Sequence, residues 1–231
     1  MTNSKRSDEQ ELLDLGPASY TQEEYEECLN QLGRIGRFLG GDRATLPLFY
    51  KLPKPRTILD VGCGGGQFAI QLAEQFPQAQ VMGIDISSQA IEFAKKRLKE
   101  TFVKNVKFDL SSSSQLPFLP NSFDVVTSTL VCHHLKDDQL IDFLKHSYQI
   151  AKRSVIINDL HRHWLAYSGF ALIARIFFRN RLICHDGLLS IKRAFKREEW
   201  MEYLRAAEIP LERCSITWHW AFRWVLYIDK S

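Results

Sequence analysis

The chain has 231 residues, of which 45% are hydrophobic and 25% are charged, with 12 glycines and 8 prolines. This composition is typical of a globular protein and excludes a collagen-like, low-complexity or wholly disordered chain. The 30 basic and 27 acidic residues give a formal charge of +3, which is too small to indicate a nucleic-acid partner by itself. The length predicts one main domain that needs no disulfide or metal for stability.

The five cysteines are an odd number, widely spread and without a CxxC pair. They predict reduced thiols, and they favour neither a disulfide framework nor a zinc site. The first fifteen residues lack the apolar core of a signal peptide. The longest apolar stretch, residues 164–178, contains Arg175 and is shorter than the roughly 20 residues of a membrane span. We therefore expect a soluble, cytoplasmic protein.

The N-terminal part is acidic, because residues 1–30 hold eight acids against Lys5 and Arg6. Its beginning is predicted to be a frayed tail. Apolar residues at helical spacing from Tyr25 predict a helix that ends at Gly40-Gly41. We therefore divide the chain into a tail and helix over residues 1–50 and a main domain over residues 51–231.

Short β-rich runs then alternate with helical runs. Strands are predicted at 57–61, 80–85, 106–109, 123–130 and 154–158, with helices at 66–76, 87–100 and 137–151. This alternation predicts βαβ units, and hence an α/β fold with a parallel, doubly wound sheet. An insertion over about 160–195 and a helix at 197–207 follow. Two β-like runs within 214–228 come last, and at least one of them should run antiparallel.

A glycine-rich loop, Gly62-Cys63-Gly64-Gly65-Gly66, follows the first strand, and the second strand ends in Asp85. Glycines let a ligand approach the backbone, and a carboxylate at the end of the second strand can accept both hydroxyls of a ribose. The spacing also fits a dinucleotide fingerprint, so an NAD(P)-dependent dehydrogenase is an alternative. Asp60, directly before the loop, would repel a pyrophosphate and suit a cationic, amino-bearing ligand such as S-adenosylmethionine.

Residues 57–159 resemble the class I S-adenosylmethionine-dependent methyltransferases. The resemblance rests on Asp60, the glycine loop and Asp85, on Leu116-Pro117-Phe118, and on the stretch from Asn121 to His133-His134-Leu135. It implies S-adenosylmethionine as cofactor and a mostly parallel seven-stranded sheet with a reversed C-terminal strand. Ser112 stands where the family usually has an acid that holds the adenine amino group. The implied cofactor-binding residues are Arg43, which would pair with the methionine carboxylate, and Asp60, Gly62, Cys63, Gly64, Gly66, Asp85, Ile86, Ser112, Ser113 and Thr129.

Histidines cluster where the fourth and fifth strands end, and in an open α/β sheet the ligand lies beyond those ends. A histidine there can take a proton from the methyl acceptor. We expect His133 or His134 to be this base, with His161 and Asp159 as a second pair of base and orienting carboxylate. No metal is expected, because the spacing of His161 and His163 splays their side chains apart.

The insertion over 160–195 is rich in aromatic residues and arginines. It predicts a helical lid over an apolar ligand, with lipid or membrane-surface contact as a further use, or alternatively a core helix with a basic edge. A weaker resemblance, to bacterial methyltransferases encoded beside type III polyketide synthases, implies a phenolic or quinone-like small-molecule acceptor. No DNA partner is expected. An RNA methyltransferase and a non-catalytic partner protein of the same fold remain alternatives, and the sequence predicts no oligomeric state.

Overall fold

The structure is a computed structural model that describes residues 5–111 and 116–230. Seven strands form one sheet in the order β3-β2-β1-β4-β5-β7-β6. The strands are β1 (Thr57–Val61), β2 (Gln80–Asp85), β3 (Val106–Leu110), β4 (Phe123–Thr129), β5 (Ala151–Leu160), β6 (Cys214–His219) and β7 (Arg223–Asp229). Only β7 runs antiparallel to its neighbours β5 and β6. The predicted doubly wound sheet with a reversed C-terminal strand is confirmed.

Eight α-helices accompany the strands over the described residues. They are α1 (Gln22–Phe38), α2 (Gly41–Lys51), α3 (Gln67–Gln75), α4 (Ser88–Lys99), α5 (Asp137–Ile150), α6 (Trp164–Phe177), α7 (Arg181–Arg193) and α8 (Arg197–Ala206). Local sequence explains several of their starts. The Ser87 side chain accepts a hydrogen bond from the Ala90 amide, and Thr21 and Glu24 form a capping box.

The core lies on both faces of the sheet. On one face, Leu140, Leu144 and Trp200 from α5 and α8 pack against β4 and β5. On the other face, helices α2 to α4 pack through side chains such as Phe49 and Leu72. Central strands that are covered on both faces read as continuous apolar runs, which explains why their positions were predicted correctly. Because β1, β2 and β4 run parallel, their carboxyl ends lie at the same edge of the sheet.

The N-terminal segment, residues 5–20, is packed onto the body, so the expectation of a frayed tail is wrong. The backbone amides of Leu12 and Leu13 donate to the Asp186 carboxylate of α7 at 2.9 and 3.1 Å. Glu11 is almost fully buried. These contacts join residues that are distant in sequence, which is why a local pattern of charge could not predict them.

The helix α2 was also missed. Gly40 adopts a left-handed φ of 78°, which ends α1 and lets the next helix begin at Gly41. A proline lies inside α2 at position 47, and this is a residue that normally argues against a helix.

The insertion is helical, as predicted, and forms two helices, α6 and α7. Helix α7 packs against α1 and the turn after β4, whereas α6 packs mainly on α7. Leu172, Ile176 and Phe177 of α6 are each more than 60% exposed. Among the residues that the structure describes, no helix combines the length and the apolar character that a membrane crossing requires.

Candidate active site

A cavity of about 1650 Å³ opens at the carboxyl ends of β1, β2 and β4. Its wall combines the glycine loop, Asp85, the turn after β4 and parts of α1. The N-terminal segment forms a further part of the wall, through residues such as Arg6, Leu13 and Asp14. The cavity is therefore the crevice in which an open α/β sheet binds its ligand.

The glycine loop needs glycine for reasons of both conformation and space. Gly62 and Gly66 have φ angles of 72° and 74°. A Cβ on Gly62 would lie 2.2 Å from a methyl group of Val131, and one on Gly66 would lie 2.6 Å from the ring of Phe108. A side chain at either position would force the backbone away from the sheet and change the floor of the cavity.

Asp85 is held in one orientation by the backbone. Its two carboxylate oxygens accept hydrogen bonds from the amides of Gly64 and Ser87, both at 2.9 Å. Burial raises the pKa of Asp85, although these backbone donors oppose the shift. Each oxygen keeps a further lone pair, so the carboxylate can still accept the two hydroxyls of a ribose.

Asp60 lies near the end of β1 and lines the cavity with only 2% of its surface exposed. Burial, and then the nearby carboxylate of Asp85, raise the pKa of Asp60 to about 8. Two carboxylates in one buried pocket favour a cationic ligand over a pyrophosphate. The residues present therefore fit the ammonium, sulfonium and ribose of S-adenosylmethionine.

The other predicted cofactor-binding residues differ in their placement. Cys63, Gly64, Ile86 and Thr129 line the cavity, and the hydroxyl of Thr129 is buried without a hydrogen-bond partner in the protein. Such an orphaned hydroxyl also fits a polar ligand. Gly66 lies behind the loop, where it packs against Phe108.

Arg43 is exposed on α2 and is not part of the cavity wall, so its predicted contact with the methionine carboxylate has no support from its position. Its neighbour Asp42 lines the cavity instead, because the helix turns Arg43 toward solvent. Ser112 and Ser113 lie outside the described residues.

His133, which lines the cavity, forms a buried pair with Asp159. His133 lies in a short 3-10 turn after β4, and Asp159 lies on β5. The imidazole Nδ1 is 2.7 Å from one carboxylate oxygen, and the His133 amide donates to the other oxygen at 3.2 Å. Burial opposes ionisation, but the interaction with His133 lowers the pKa of Asp159 below its usual value.

His134 has a similar arrangement with the N-terminal segment. Its Nδ1 is 2.8 Å from a carboxylate oxygen of Asp14. Despite burial, His134 and Arg193 lower the pKa of Asp14. Glu11 lies between the two histidines, with its carboxylate oxygens 3.8 Å from the Nε2 atoms of His133 and His134. Burial raises the pKa of Glu11 to about 7.

Two arginines fix the turn that carries the histidines. Arg193 donates to the carbonyl oxygens of His133 and His134 at 3.0 and 2.7 Å. Arg6 donates to the carbonyl of Leu135 at 3.0 Å, and its guanidinium lies over the ring of Phe195. Sequence reasoning missed Arg6, Glu11, Asp14 and Arg193. The apolar pair Leu12-Leu13 within the acidic segment is a local signal that could have indicated a buried contact.

The predicted pairing of His161 with Asp159 is wrong, because the Asp159 carboxylate is turned toward His133. His161 instead lies among the aromatic side chains of the C-terminal hairpin, and its Nδ1 accepts a hydrogen bond from Trp218 at 3.2 Å. Burial, with the nearby His163 and Arg162, lowers the pKa of His161 to about 4. It is not part of the cavity wall.

Comparisons with known proteins agree with this geometry. A family described as a methyltransferase domain matches residues 54–162. Over 183 residues the chain is 30% identical to a demethylmenaquinone methyltransferase of Listeria monocytogenes serotype 4b (strain CLIP80459), covering 78% of this chain and 76% of the relative. The chain belongs to the class I S-adenosylmethionine-dependent methyltransferases. The dehydrogenase alternative is thereby set aside, and the cofactor is S-adenosylmethionine.

Two further similarities define the extent of the match. A demethylmenaquinone methyltransferase of Geobacillus kaustophilus (strain HTA426) is 28% identical over 158 residues, which are 68% of this chain and 65% of the relative. The chain thus spans about two thirds of that relative's length. A solved S-adenosylmethionine-dependent methyltransferase from Aquifex aeolicus aligns with a TM-score of 0.65 at 18% identity, over 88% of this chain and 97% of the other. This methyltransferase fold therefore extends over most of the chain.

Proposed function

We propose that this methyltransferase transfers a methyl group to a hydroxyl of a small hydroxylated aromatic or quinone-like molecule. The observation that carries the proposal is that His133, whose Nδ1 is paired with the buried Asp159, lines the cavity that also holds the glycine loop and Asp85. A base and a cofactor site in one cavity are what methyl transfer to a weakly acidic hydroxyl requires.

The chemistry follows from the tautomer of His133. Asp159 accepts a hydrogen bond from Nδ1–H, so the neutral imidazole keeps its lone pair on Nε2. The bound cofactor supplies an electrophilic methyl group on its sulfonium. The acceptor hydroxyl gives its proton to Nε2 and its oxygen forms the new bond to the methyl carbon, while the electron pair of the broken carbon–sulfur bond stays on sulfur. Asp159 then stabilises the imidazolium.

The class of acceptor is proposed on two grounds. The relatives in the Listeria and Geobacillus species are named demethylmenaquinone methyltransferases. The cavity wall also includes the apolar side chains of Leu13, Leu29, Leu116, Leu130 and Phe143. A largely apolar wall with a few polar groups suits an aromatic ring that carries hydroxyls.

An apolar acceptor of this kind would be dissolved in lipid, and α6 offers a surface for lipid contact. Leu165, Leu172, Ile173, Ile176 and Phe177 recur at helical spacing, and all are exposed. A helix with an exposed apolar stripe can bind by that stripe to the interface of a membrane. We include this contact in the proposed function, with α6 lying on the membrane while the cavity takes up the acceptor.

The test is transfer of a labelled methyl group from S-adenosylmethionine to a panel of naphthoquinols, simple phenols and aromatic amines, with products identified by mass spectrometry. We expect a methylated hydroxyl compound with wild-type protein, and strongly reduced product with Asp159→Asn. His163→Asn is the matched control, because this histidine caps α6 outside the cavity wall. Methylation of amines alone, or full activity of Asp159→Asn, would refute the proposed acceptor or base.

A further inference from the structure

Glu11, His133 and His134 come together from two distant parts of the chain. One oxygen of Glu11 is 3.8 Å from Nε2 of His133, and its other oxygen is 3.8 Å from Nε2 of His134. One potential ligand atom from each residue can be chosen so that all three lie within 4.8 Å of one another. These separations are too long for hydrogen bonds, but ligand atoms about 2.1 Å from one metal ion at tetrahedral angles are about 3.4 Å apart.

The opposite ring nitrogens of both histidines are held by carboxylates. Asp159 lies 2.7 Å from Nδ1 of His133, and Asp14 lies 2.8 Å from Nδ1 of His134. A carboxylate acceptor keeps the proton on Nδ1 and directs the lone pair of Nε2 toward the other side of the ring. Two imidazole nitrogens and a carboxylate thus lie close enough together to hold one ion. Metal-binding histidines have this same pattern of outer carboxylates.

We propose that Glu11, His133 and His134 form a binding site for a divalent transition metal of the zinc type. Two imidazoles and one carboxylate are a ligand set that Zn²⁺ accepts, and three protein ligands leave a fourth position for a water or another oxygen. Glu11 and His133 are almost fully buried, so the ion would be shielded from bulk solvent. Asp14 and Asp159 act as positioning residues that orient the imidazoles.

The ion would join the N-terminal segment to the turn after β4. Glu11 belongs to the segment that covers the cavity, whereas both histidines belong to the body of the domain. Binding of the ion would therefore fasten the segment over the cavity. The ion would also occupy the Nε2 lone pair that His133 needs as a base, so Zn²⁺ is expected to inhibit methyl transfer. This inhibition rests on the proposed function, but the binding of the ion does not.

The experiment is a calorimetric titration of chelator-treated protein with Zn²⁺. We expect one ion per wild-type chain. Asp14→Asn should weaken binding by roughly 10–100-fold, as loss of an outer carboxylate does, and Glu11→Gln should weaken it further. His161→Asn is the matched control, because the rings of His161 and His163 are also adjacent but Nδ1 of His161 accepts a hydrogen bond from Trp218 and does not face a carboxylate. It should leave the affinity unchanged.

Thermal unfolding gives a second readout that does not depend on activity. Zn²⁺ should raise the Tm of the wild-type chain and of His161→Asn, but not that of Glu11→Gln. The Tm values without metal show whether each variant is folded. Equal Zn²⁺ affinity in wild type and Glu11→Gln, or no binding at all, would overturn the metal site. Failure to find a methyl acceptor would change neither the Zn²⁺ affinities nor the Tm shifts, so the two proposals can fail separately.

Discussion

Asp60 and Asp85 are carboxylates on adjacent parallel strands, and their surroundings differ. Asp85 accepts hydrogen bonds from two backbone amides, whereas Asp60 is buried beside it and its pKa is raised to about 8. Both were predicted from sequence, because strand ends and glycine loops are local patterns. The raised pKa of Asp60 could not be predicted, since it depends on burial and on the separation of two strands.

Asp60 should make cofactor affinity depend on pH. In the ligand-free protein its pKa of about 8 keeps it mostly protonated at neutral pH. A cationic ligand favours the ionised form, so binding lowers this pKa and releases a proton. The affinity for S-adenosylmethionine should therefore rise with pH between 6 and 7.5, by up to about tenfold per pH unit. Calorimetry should find this slope in wild type and a flatter profile in Asp60→Asn. A flat wild-type profile would contradict the role of Asp60.

Asp85→Ala should weaken the binding of S-adenosylmethionine at least tenfold, because hydrogen bonds to a charged acceptor contribute about 1.5–3 kcal/mol each. Asp109→Ala is the matched control, since Asp109 is an exposed acid paired in register with Ile84 on the neighbouring strand. Dissociation constants measured by calorimetry should separate the two variants. An unchanged constant in folded Asp85→Ala would contradict the assignment of the ribose site.

The N-terminal segment is held by contacts with elements that are distant from it in sequence. Sequence predicted α1 but treated the preceding residues as a tail, because their partners lie on α7 and at the turn after β4. Asp186 receives the amides of Leu12 and Leu13, and Arg6 and Arg193 bind the carbonyls of the histidine turn. A periodic pattern of apolar residues does not reveal such contacts, since they depend on how distant elements are placed.

Asp186→Asn should loosen this segment. The amide replaces a charged acceptor, so the two hydrogen bonds from the segment become weaker. We expect limited proteolysis to cleave within residues 5–20 several-fold faster, and S-adenosylmethionine with acceptor to slow the cleavage by closing the cavity. Asp142→Asn, at an exposed position of α5, should behave like wild type. Equal cleavage of wild type and Asp186→Asn would show that these bonds do not hold the segment.

The proposed lipid contact of helix α6 can be tested by vesicle binding. The double variant Leu172→Ser/Ile176→Ser removes two exposed apolar side chains and should weaken sedimentation with phospholipid vesicles at least about tenfold. Its Tm should be unchanged, because neither side chain belongs to the core. Phe102→Ser removes a fully exposed apolar side chain elsewhere and is the control. Equal vesicle binding by all three proteins would exclude α6 as the lipid-contacting surface.

For the molecule as a whole, the sequence predicted the sheet and the cofactor loop far better than the part of the site around His133. Strands buried on both faces and the loop between β1 and α3 are encoded by neighbouring residues. The surroundings of His133 are assembled from the N-terminal segment, the turn after β4, and β5. His133 was predicted as a candidate base from its place after β4. Its carboxylate partner, Asp159, was assigned to His161 instead, and Glu11 was not foreseen, because both contacts join distant parts of the chain.

The most direct test compares His133→Asn with His161→Asn in methyl transfer, using chelator-treated protein. Both side chains are histidines near a strand end, but only His133 lines the cavity and is paired with Asp159. His133→Asn should lower kcat by roughly 10²–10⁴-fold and leave the Kd for S-adenosylmethionine nearly unchanged. His161→Asn should keep both values. Full kcat in His133→Asn, or an equal loss in the two variants, would contradict the proposed role of His133 as the base.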